Sequence, residues 1–202
     1  AVIREMGLDQ PYTKSQPLKI EEVELSSPQE KEVLIQIKAA GLCHSDLSTV
    51  NGNRPRQTPM VLGHEAAGIV VECGPGINDL EAGDHVVLVF APSCGECISC
   101  VEGHPGRCEP GQKANADGTL LGGGIRLSQN GQGIYHHVGV SAFAEYCIAN
   151  RGSLVKIDKN LPFDEAALFA RIENRAAKTG GARADDNAET LRRRLAVYHE
   201  RT

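Results

Sequence analysis

The sequence contains no tryptophan, and aromatic residues make up only 4% of the chain. No stretch approaches the roughly 18 consecutive apolar residues of a membrane span, and the N-terminus lacks the pattern of a signal peptide. An excess of positive charge is also missing, because the formal net charge is −5. These absences argue against a membrane protein, a secreted protein and a general nucleic-acid binder. A hydrophobic fraction of 41% is still sufficient for a core.

Two glycine-rich nucleotide-binding patterns are absent as well. Neither G-x-G-x-x-G after a strand nor G-x-x-x-x-G-K-[ST] occurs in the chain. We therefore interpret Gly122-Gly123-Gly124 as a flexible turn, within a long loop over residues 115–139.

Glycine and proline, in contrast, are plentiful before residue 165. The chain has 22 glycines and 10 prolines, and they separate short runs rich in β-branched residues. This pattern predicts a mainly β fold, a small barrel or a sandwich, with strands at 20–25, 33–40, 66–73, 85–90, 143–149 and 154–157. After Pro162 the pattern becomes helical: Asp164 is the predicted cap of a helix from Glu165, and a second helix begins near Asn187.

Four of the seven cysteines lie in one short stretch, separated by two, two and seven residues. Thiolates at such spacing can converge on a tetrahedral zinc ion, and a closed four-cysteine set leaves no position for a substrate. A disulfide pair or four free thiols are the alternatives. Cysteines used in this way fit a reducing compartment, so we expect a cytoplasmic protein. The predicted ligands of this structural zinc are Cys94, Cys97, Cys100 and Cys108.

A second polar group precedes that stretch. It consists of Gly41-Leu-Cys43-His44-Ser45-Asp46 and Gly63-His64-Glu65, each at the end of a predicted strand. One thiolate and one imidazole are two of the three protein ligands that a catalytic zinc needs. A single cysteine or histidine, taken alone, is more often a core or surface residue.

Together with Gly63-His64-Glu65-Ala-Ala-Gly68 and Ser141-Ala-Phe-Ala-Glu-Tyr146, these residues resemble the zinc-dependent alcohol dehydrogenases of the medium-chain family over about residues 1–170. The resemblance implies a GroES-like β-barrel catalytic domain with a structural-zinc loop over residues 1–165. It also implies oxidation of a small-molecule alcohol to an aldehyde or ketone with zinc and with NAD or NADP. Family members continue with a Rossmann domain, which this sequence lacks. The resemblance leaves open whether the chain forms an oligomer.

The same resemblance implies the ligands of the catalytic zinc. Cys43 and His64 would bind the metal, and Glu65 would lie beside it. In the family a further cysteine follows Ala-Ala-Leu-Phe, but this chain has Arg171 at that place, so we expect an incomplete site.

Three neighbouring residues receive roles in the same way. Ser45 would begin the proton relay, Asp46 would orient the histidine ligand, and His44 would contact the coenzyme pyrophosphate. Ser48 stands where the family often has a relay histidine, so the resemblance does not extend to the outer relay.

The last residues resemble a different family. Ala170-Arg-Ile-Glu-Asn-Arg175 and the run from Arg183 to His199 are similar to the late part of a bacterial adenylate kinase, in which the matches to Arg183 and Arg194 contact phosphates. We therefore interpret the chain as a chimera, with an alcohol dehydrogenase domain at 1–165 and a two-helix kinase-like fragment at 166–202.

Three functions follow from these interpretations. The first is a zinc-dependent alcohol dehydrogenase catalytic domain, inactive in this truncated form. The second is a zinc-stabilised β-barrel that serves only as a structural or interaction module. The third is nucleotide binding by the kinase-like fragment.

Overall fold

The computed structural model describes residues 1–168 of the 202-residue chain. Within these residues short strands predominate, and the helices are few and short. The strands are β1 Val2–Ile3, β2 Leu18–Lys19, β3 Glu24–Leu25, β4 Glu32–Gly41, β5 Met60–Val61, β6 Glu65–Cys73, β7 His85–Leu88, β8 Leu127–Gln129, β9 Gln132–His136, β10 Tyr146–Asn150 and β11 Leu154–Ile157. The helices are α1 Tyr12–Ser15, α2 His44–Val50, α3 Ile98–Val101 and α4 Glu109–Asp117. Residues 163–168 are also helical.

One sheet has five antiparallel strands in the order β10-β4-β6-β7-β11. The strands β4 and β6 approach closely at Gly68, where a Cβ atom would lie only 2.3 Å from the carbonyl oxygen of Gln36. Aliphatic side chains on the inner face form the largest buried cluster, and each contributes about 1.5–3 kcal/mol by its burial. Its members include Val33, Ile35, Val70, Val86, Leu88 and Leu154.

The other sheet has six strands in the order β2-β1-β5-β9-β8-β3, with β5 and β9 parallel. A largely buried ion pair connects it to the five-stranded sheet. The guanidinium of Arg126, just before β8, donates from Nε to Glu32 Oε2 at 2.8 Å and from Nη2 to Oε1 at 2.9 Å. Glu32 begins β4 and is 2% exposed, so the contact is shielded from water on the carboxylate side. This bidentate pair therefore links the two sheets to each other.

The pairing of β4 with β6 positions the polar group found in the sequence. Gly41 at the end of β4 is the register partner of Glu65 at the beginning of β6. Since the strands are antiparallel, the residues just beyond them, Cys43 and His64, are brought to the same end of the sheet. Two register shifts, between Leu34 and Ile35 and between Ile37 and Ala39, bend β4 on its way there.

The mainly β prediction is confirmed, but the predicted β-barrel is not closed. The described strands form two open sheets, and no described pair joins the edge strands β2 or β3 to β10 or β11. The edge strands β2 and β3 are each only two residues long, so they offer few backbone groups for a closing ladder.

The predicted long loop over residues 115–139 is wrong. It contains the end of α4 and a hairpin of β8 and β9, which pair from Leu127 with Ile134 to Gln129 with Gln132. The turn is Asn130-Gly131, with φ values of 51° and 77°. These positive values are those of a tight two-residue hairpin turn, which Asn-Gly favours.

The first C-terminal helix begins earlier than predicted, at residue 163 rather than at Glu165. Ala166 N donates to Pro162 O at 2.9 Å, so Pro162 precedes the first turn and Asp164 lies inside it. Ala166 and Ala167 pack against Ala67 and Val87 of the five-stranded sheet. The predicted second helix, Arg171 and the part of the kinase-like fragment after residue 168 lie outside the described residues. Among the helices of residues 1–168, none is long and apolar enough to cross a membrane.

Candidate functional site

Asp46 is the centre of the polar group at the end of β4. It lies on α2 and is 5% exposed. Its Oδ2 accepts from Cys43 N at 3.3 Å, and its Oδ1 accepts from Gly63 N at 3.3 Å. Oδ1 also lies 3.1 Å from His64 Nδ1. One buried carboxylate therefore connects the start of α2 to the turn that carries His64.

His64 presents its other ring nitrogen to the remaining polar atoms. Its Nε2 lies 3.0 Å from Ser45 Oγ, which in turn lies 3.2 Å from Cys43 Sγ. With Nδ1 engaged by Asp46, Nε2 is the nitrogen left for a metal or a proton. The structure thus brings Cys43, Ser45 and His64 together at one point.

Electrostatics agree with this arrangement. Burial lowers the pKa of His64, but its hydrogen bonds with Asp46 and Cys43 outweigh burial and raise the pKa to about 9. Burial raises the pKa of Asp46, but its interactions with His137 and His64 hold that pKa well below the usual range. Burial also raises the pKa of Cys43, and the hydrogen bonds of His64 and Ser45 bring it below the usual value. The carboxylate is therefore charged, and the thiol is easier to ionise.

Glu65 supplies a third donor. It is 2% exposed, and one donor atom each of Cys43, His64 and Glu65 lie within 4.8 Å of one another. Space for its carboxylate depends on Gly41, because a Cβ atom there would lie 3.0 Å from Glu65 Oε2. Sulfur, imidazole nitrogen and carboxylate oxygen are the ligand types that zinc accepts, so the donor set fits a three-ligand zinc site.

The four cysteines of the second group also converge. Their sulfur atoms lie within 4.8 Å of one another, and all seven cysteines of the chain are free, so the disulfide alternative is not observed. Backbone N–H groups of Glu96 and Cys97 point at Cys94 Sγ at 3.4 and 3.3 Å and lower the pKa of this thiol to about 7. Thiolates arranged in this way fit a structural zinc ion. The cysteines are Cys94, Cys97, Cys100 and Cys108.

His44 stands apart from these groups. It begins α2, it is exposed, and its Nδ1 lies 3.4 Å from Ser48 Oγ. A cavity of about 830 Å³ opens beside it and beside Cys43. Its walls are mainly apolar, formed by Tyr12, Leu18, Leu42, Leu47, Val50 and Phe143.

Sequence reasoning missed His137, which is buried against this site. Its Nδ1 lies 3.4 Å from Asp46 Oδ1, and its ring is nearly perpendicular to that of His64, with centroids 5.3 Å apart. Its separation of 91 positions from Asp46 leaves no local spacing signal. The positive φ values that follow it, at Val138 and Ser141, are visible only in the structure.

The two sheets and the two donor sets define a GroES-like domain of the zinc-dependent dehydrogenase class. Residues 29–159 match the family model described as "Alcohol dehydrogenase GroES-like domain", and the chain belongs to this family. Zinc and, in complete members, NAD or NADP are the cofactors of these enzymes, so the cofactor prediction is confirmed.

Individual relatives agree with the family assignment. Alcohol dehydrogenase B of Mycobacterium tuberculosis is 43% identical over 155 residues, which are 76% of this chain and 41% of the relative. A solved alcohol dehydrogenase zinc-binding domain protein from Burkholderia ambifaria superposes with a TM-score of 0.72 at 36% identity, covering 81% of this chain and 42% of that one. Benzyl alcohol dehydrogenase from Acinetobacter calcoaceticus gives 0.66 at 32% identity, covering 73% and 40%. The chain thus spans less than half the length of these relatives.

Proposed function

We propose that residues 1–165 are the catalytic domain of a zinc-dependent alcohol dehydrogenase that oxidises an alcohol to an aldehyde or ketone with NAD or NADP. The observation that carries this proposal is the convergence of Cys43, His64 and Glu65, of which Cys43 also lines a mainly apolar cavity. An open three-ligand site at a cavity is the arrangement of a catalytic zinc, whereas the four-cysteine group has the closed arrangement of a structural one.

The chain's own residues have separate tasks in this proposal. Zinc supplies the Lewis acidity that makes an alcohol's hydroxyl proton easier to remove. Cys43, His64 and Glu65 hold the metal, and Asp46 keeps His64 in its ligand orientation through the 3.1 Å contact. Ser45 Oγ, which lies 3.2 Å from Cys43 Sγ and 3.0 Å from His64 Nε2, would begin the proton relay by accepting the hydroxyl proton of the substrate while releasing its own hydroxyl proton to water.

Around these polar atoms, the apolar wall of the cavity selects the substrate. Leu42 and Leu47 are 80% and 41% exposed, and both line the cavity that reaches Cys43. Such a surface favours alcohols with an alkyl or aryl group, because burying that group removes apolar area from water. The benzyl alcohol dehydrogenase among the structural relatives acts on a substrate of this kind.

His44 offers a polar group in the wall of the cavity. It is exposed at the first turn of α2 and lines the same cavity, where a phosphate-bearing coenzyme would find an imidazole. We assign it to coenzyme pyrophosphate contact. The kinase-like fragment at 166–202 receives no part in this chemistry.

The proposal is tested by metal content and by activity after completion of the enzyme. With Glu65 as third ligand in place of the cysteine that Arg171 replaces, two zinc ions per chain are expected, one lost in Cys43→Ala and the other in Cys97→Ala. Fusing residues 1–165 to the remaining part of the Mycobacterium tuberculosis relative should give NADH or NADPH formation from an apolar alcohol. A fusion that binds both metals and coenzyme but never turns over would favour the structural-module alternative. Nucleotide binding by residues 166–202 alone would favour the third function.

A further inference from the structure

His137 is the buried group beside the candidate zinc site that the proposed function leaves without a role. It is 3% exposed, and its Nδ1 lies 3.4 Å from Asp46 Oδ1, the same oxygen that faces His64 Nδ1 at 3.1 Å. The donor atoms of Asp46, His64 and His137 all lie within 4.8 Å of one another. One carboxylate oxygen is therefore set between two imidazoles.

The backbone after His137 is held in an unfavourable conformation. Val138 has φ 47° and Ser141 has φ 56°. Residues other than glycine rarely adopt positive φ, least of all those branched at Cβ such as Val138, and they persist where surrounding contacts enforce them, often at functional sites. Here the contacts are internal: His137 N donates to Ser141 Oγ at 2.9 Å, and Val140 N donates to His137 O at 3.1 Å.

The same segment is fastened to the turn that carries His64. Ala142 N donates to Gly63 O at 3.0 Å, and Phe143 N donates to Leu62 O at 2.9 Å. The approach is so close that a Cβ atom on Gly63 would lie 2.5 Å from Phe143 N. The loop of His137 and the loop of His64 are thus joined by backbone bonds next to the point where both imidazoles meet Asp46.

We propose that His137 is a positioning residue for the metal site. It fills the space on Asp46 that would otherwise let the carboxylate rotate, so that Oδ1 stays directed at His64 Nδ1 and Nε2 stays directed at the metal position. The proposal rests on the proposed function, because it requires a metal at Cys43, His64 and Glu65. Groups that orient a ligand through another residue typically change metal affinity about 10–100-fold when removed.

Cobalt(II) bound in place of zinc supplies the readout, since its visible bands report ligand geometry without any turnover. His137→Ala should weaken cobalt binding at the Cys43 site by about tenfold and shift its bands, while the bands of the four-cysteine site stay unchanged. His137→Asn returns an amide N–H near the position of Nδ1 and should recover most of the affinity. His137→Gln places its amide one bond further from the backbone and should not recover the affinity.

The neighbouring His136 offers a matched control. It is equally buried, but its Nε2 accepts from Arg126 N at 3.1 Å, on a different network. His136→Asn should lower stability and leave the cobalt bands of the Cys43 site in place. If His137→Ala fails to fold, the comparison of His137→Asn with His137→Gln decides the question.

Two results are distinguishable failures. The role of His137 would be overturned if its Asn, Gln and Ala variants all kept the cobalt affinity and bands of the unsubstituted chain. It would also be overturned if His136→Asn shifted the bands as much as the His137 variants do. A Cys43→Ala variant that binds as much cobalt as the unsubstituted chain would instead show that the proposed metal site itself does not exist.

Discussion

Gly63 is the residue on which the geometry of His64 depends most directly. Its φ of 92° lies in the region open to glycine, and the backbone of Phe143 occupies the space of a side chain. Because His64 follows it, any movement that relieves this clash moves the imidazole.

We expect Gly63→Ala to lower the free energy of unfolding by about 1–3 kcal/mol through backbone strain and steric clash. It should also weaken metal binding at the Cys43 site. Gly83→Ala is the matched control, since Gly83 has φ 89° but no atom within 4 Å of its would-be Cβ. Urea unfolding of both variants measures the difference, and an equal loss in the two would show that strain alone is involved.

His136 links stability to pH. Burial first, and the charge of Arg126 second, lower its pKa from 6.5 to about 4. The imidazole is neutral in the folded chain, whereas the unfolded chain takes up a proton as the pH falls below 6.5. Stability should therefore decrease between pH 6.5 and about 4, and at pH 5 His136 should account for about 2 kcal/mol of this decrease.

Urea unfolding at pH 7 and pH 5 checks this prediction. The unsubstituted chain should lose more stability between the two values than His136→Asn, which cannot take up the proton. Parallel losses would mean that other groups are responsible.

At the scale of elements, the four-cysteine segment is the part best predicted from the sequence. Its ligands lie within 15 consecutive residues, so the spacing alone indicates that they meet. The hairpin of β8 and β9 was missed although Asn130-Gly131 marks it, because its strands have only three and five residues and little alternation. Asp46 with His137 could not be predicted, because only the pairing of distant strands brings them together.

Metal in the four-cysteine segment should stabilise its short elements. Only the four-residue α3 and a 3-10 turn at Pro105–Arg107 lie between Cys97 and Cys108, and helices of this length are not stable by themselves. Cys97→Ala should therefore remove one zinc per chain and lower the melting temperature. Zinc analysis beside thermal unfolding tests this, with Cys147→Ala, a buried core cysteine away from the metal groups, as the control. Unchanged zinc content in Cys97→Ala would contradict the assignment.

The hairpin turn gives a second test at this scale. Gly131→Val places a β-branched residue at φ 77° and should destabilise the hairpin, whereas Asn130→Gly keeps the turn. Hydrogen exchange of the β8 and β9 amides should become faster in the first variant only. Equal protection in both variants would contradict the assigned turn.

At the scale of the whole molecule, the cysteine, histidine and glutamate donors account for metal binding, but they do not account for hydride transfer to a coenzyme. Coenzyme and substrate must be held with their reacting atoms about 3–3.5 Å apart. We expect residues 1–202, loaded with zinc, to produce no NADH or NADPH from alcohols above a zinc-free control, and the completed fusion to do so. Steady turnover by residues 1–202 would show that a coenzyme site exists in this chain.

The way the helical segment 163–168 meets the sheet has a consequence for evolution. Alanines at 166 and 167 rest on Ala67 and Val87, while the metal donors and their supporting residues all lie between positions 41 and 141. The segment thus meets the sheet through small apolar side chains, and the donors Cys43, His64 and Glu65 and the four cysteines all precede it. A recombination event directly after residue 168 would therefore keep these donors together while exchanging Arg171, so the new neighbour would decide whether a further ligand joins Cys43, His64 and Glu65.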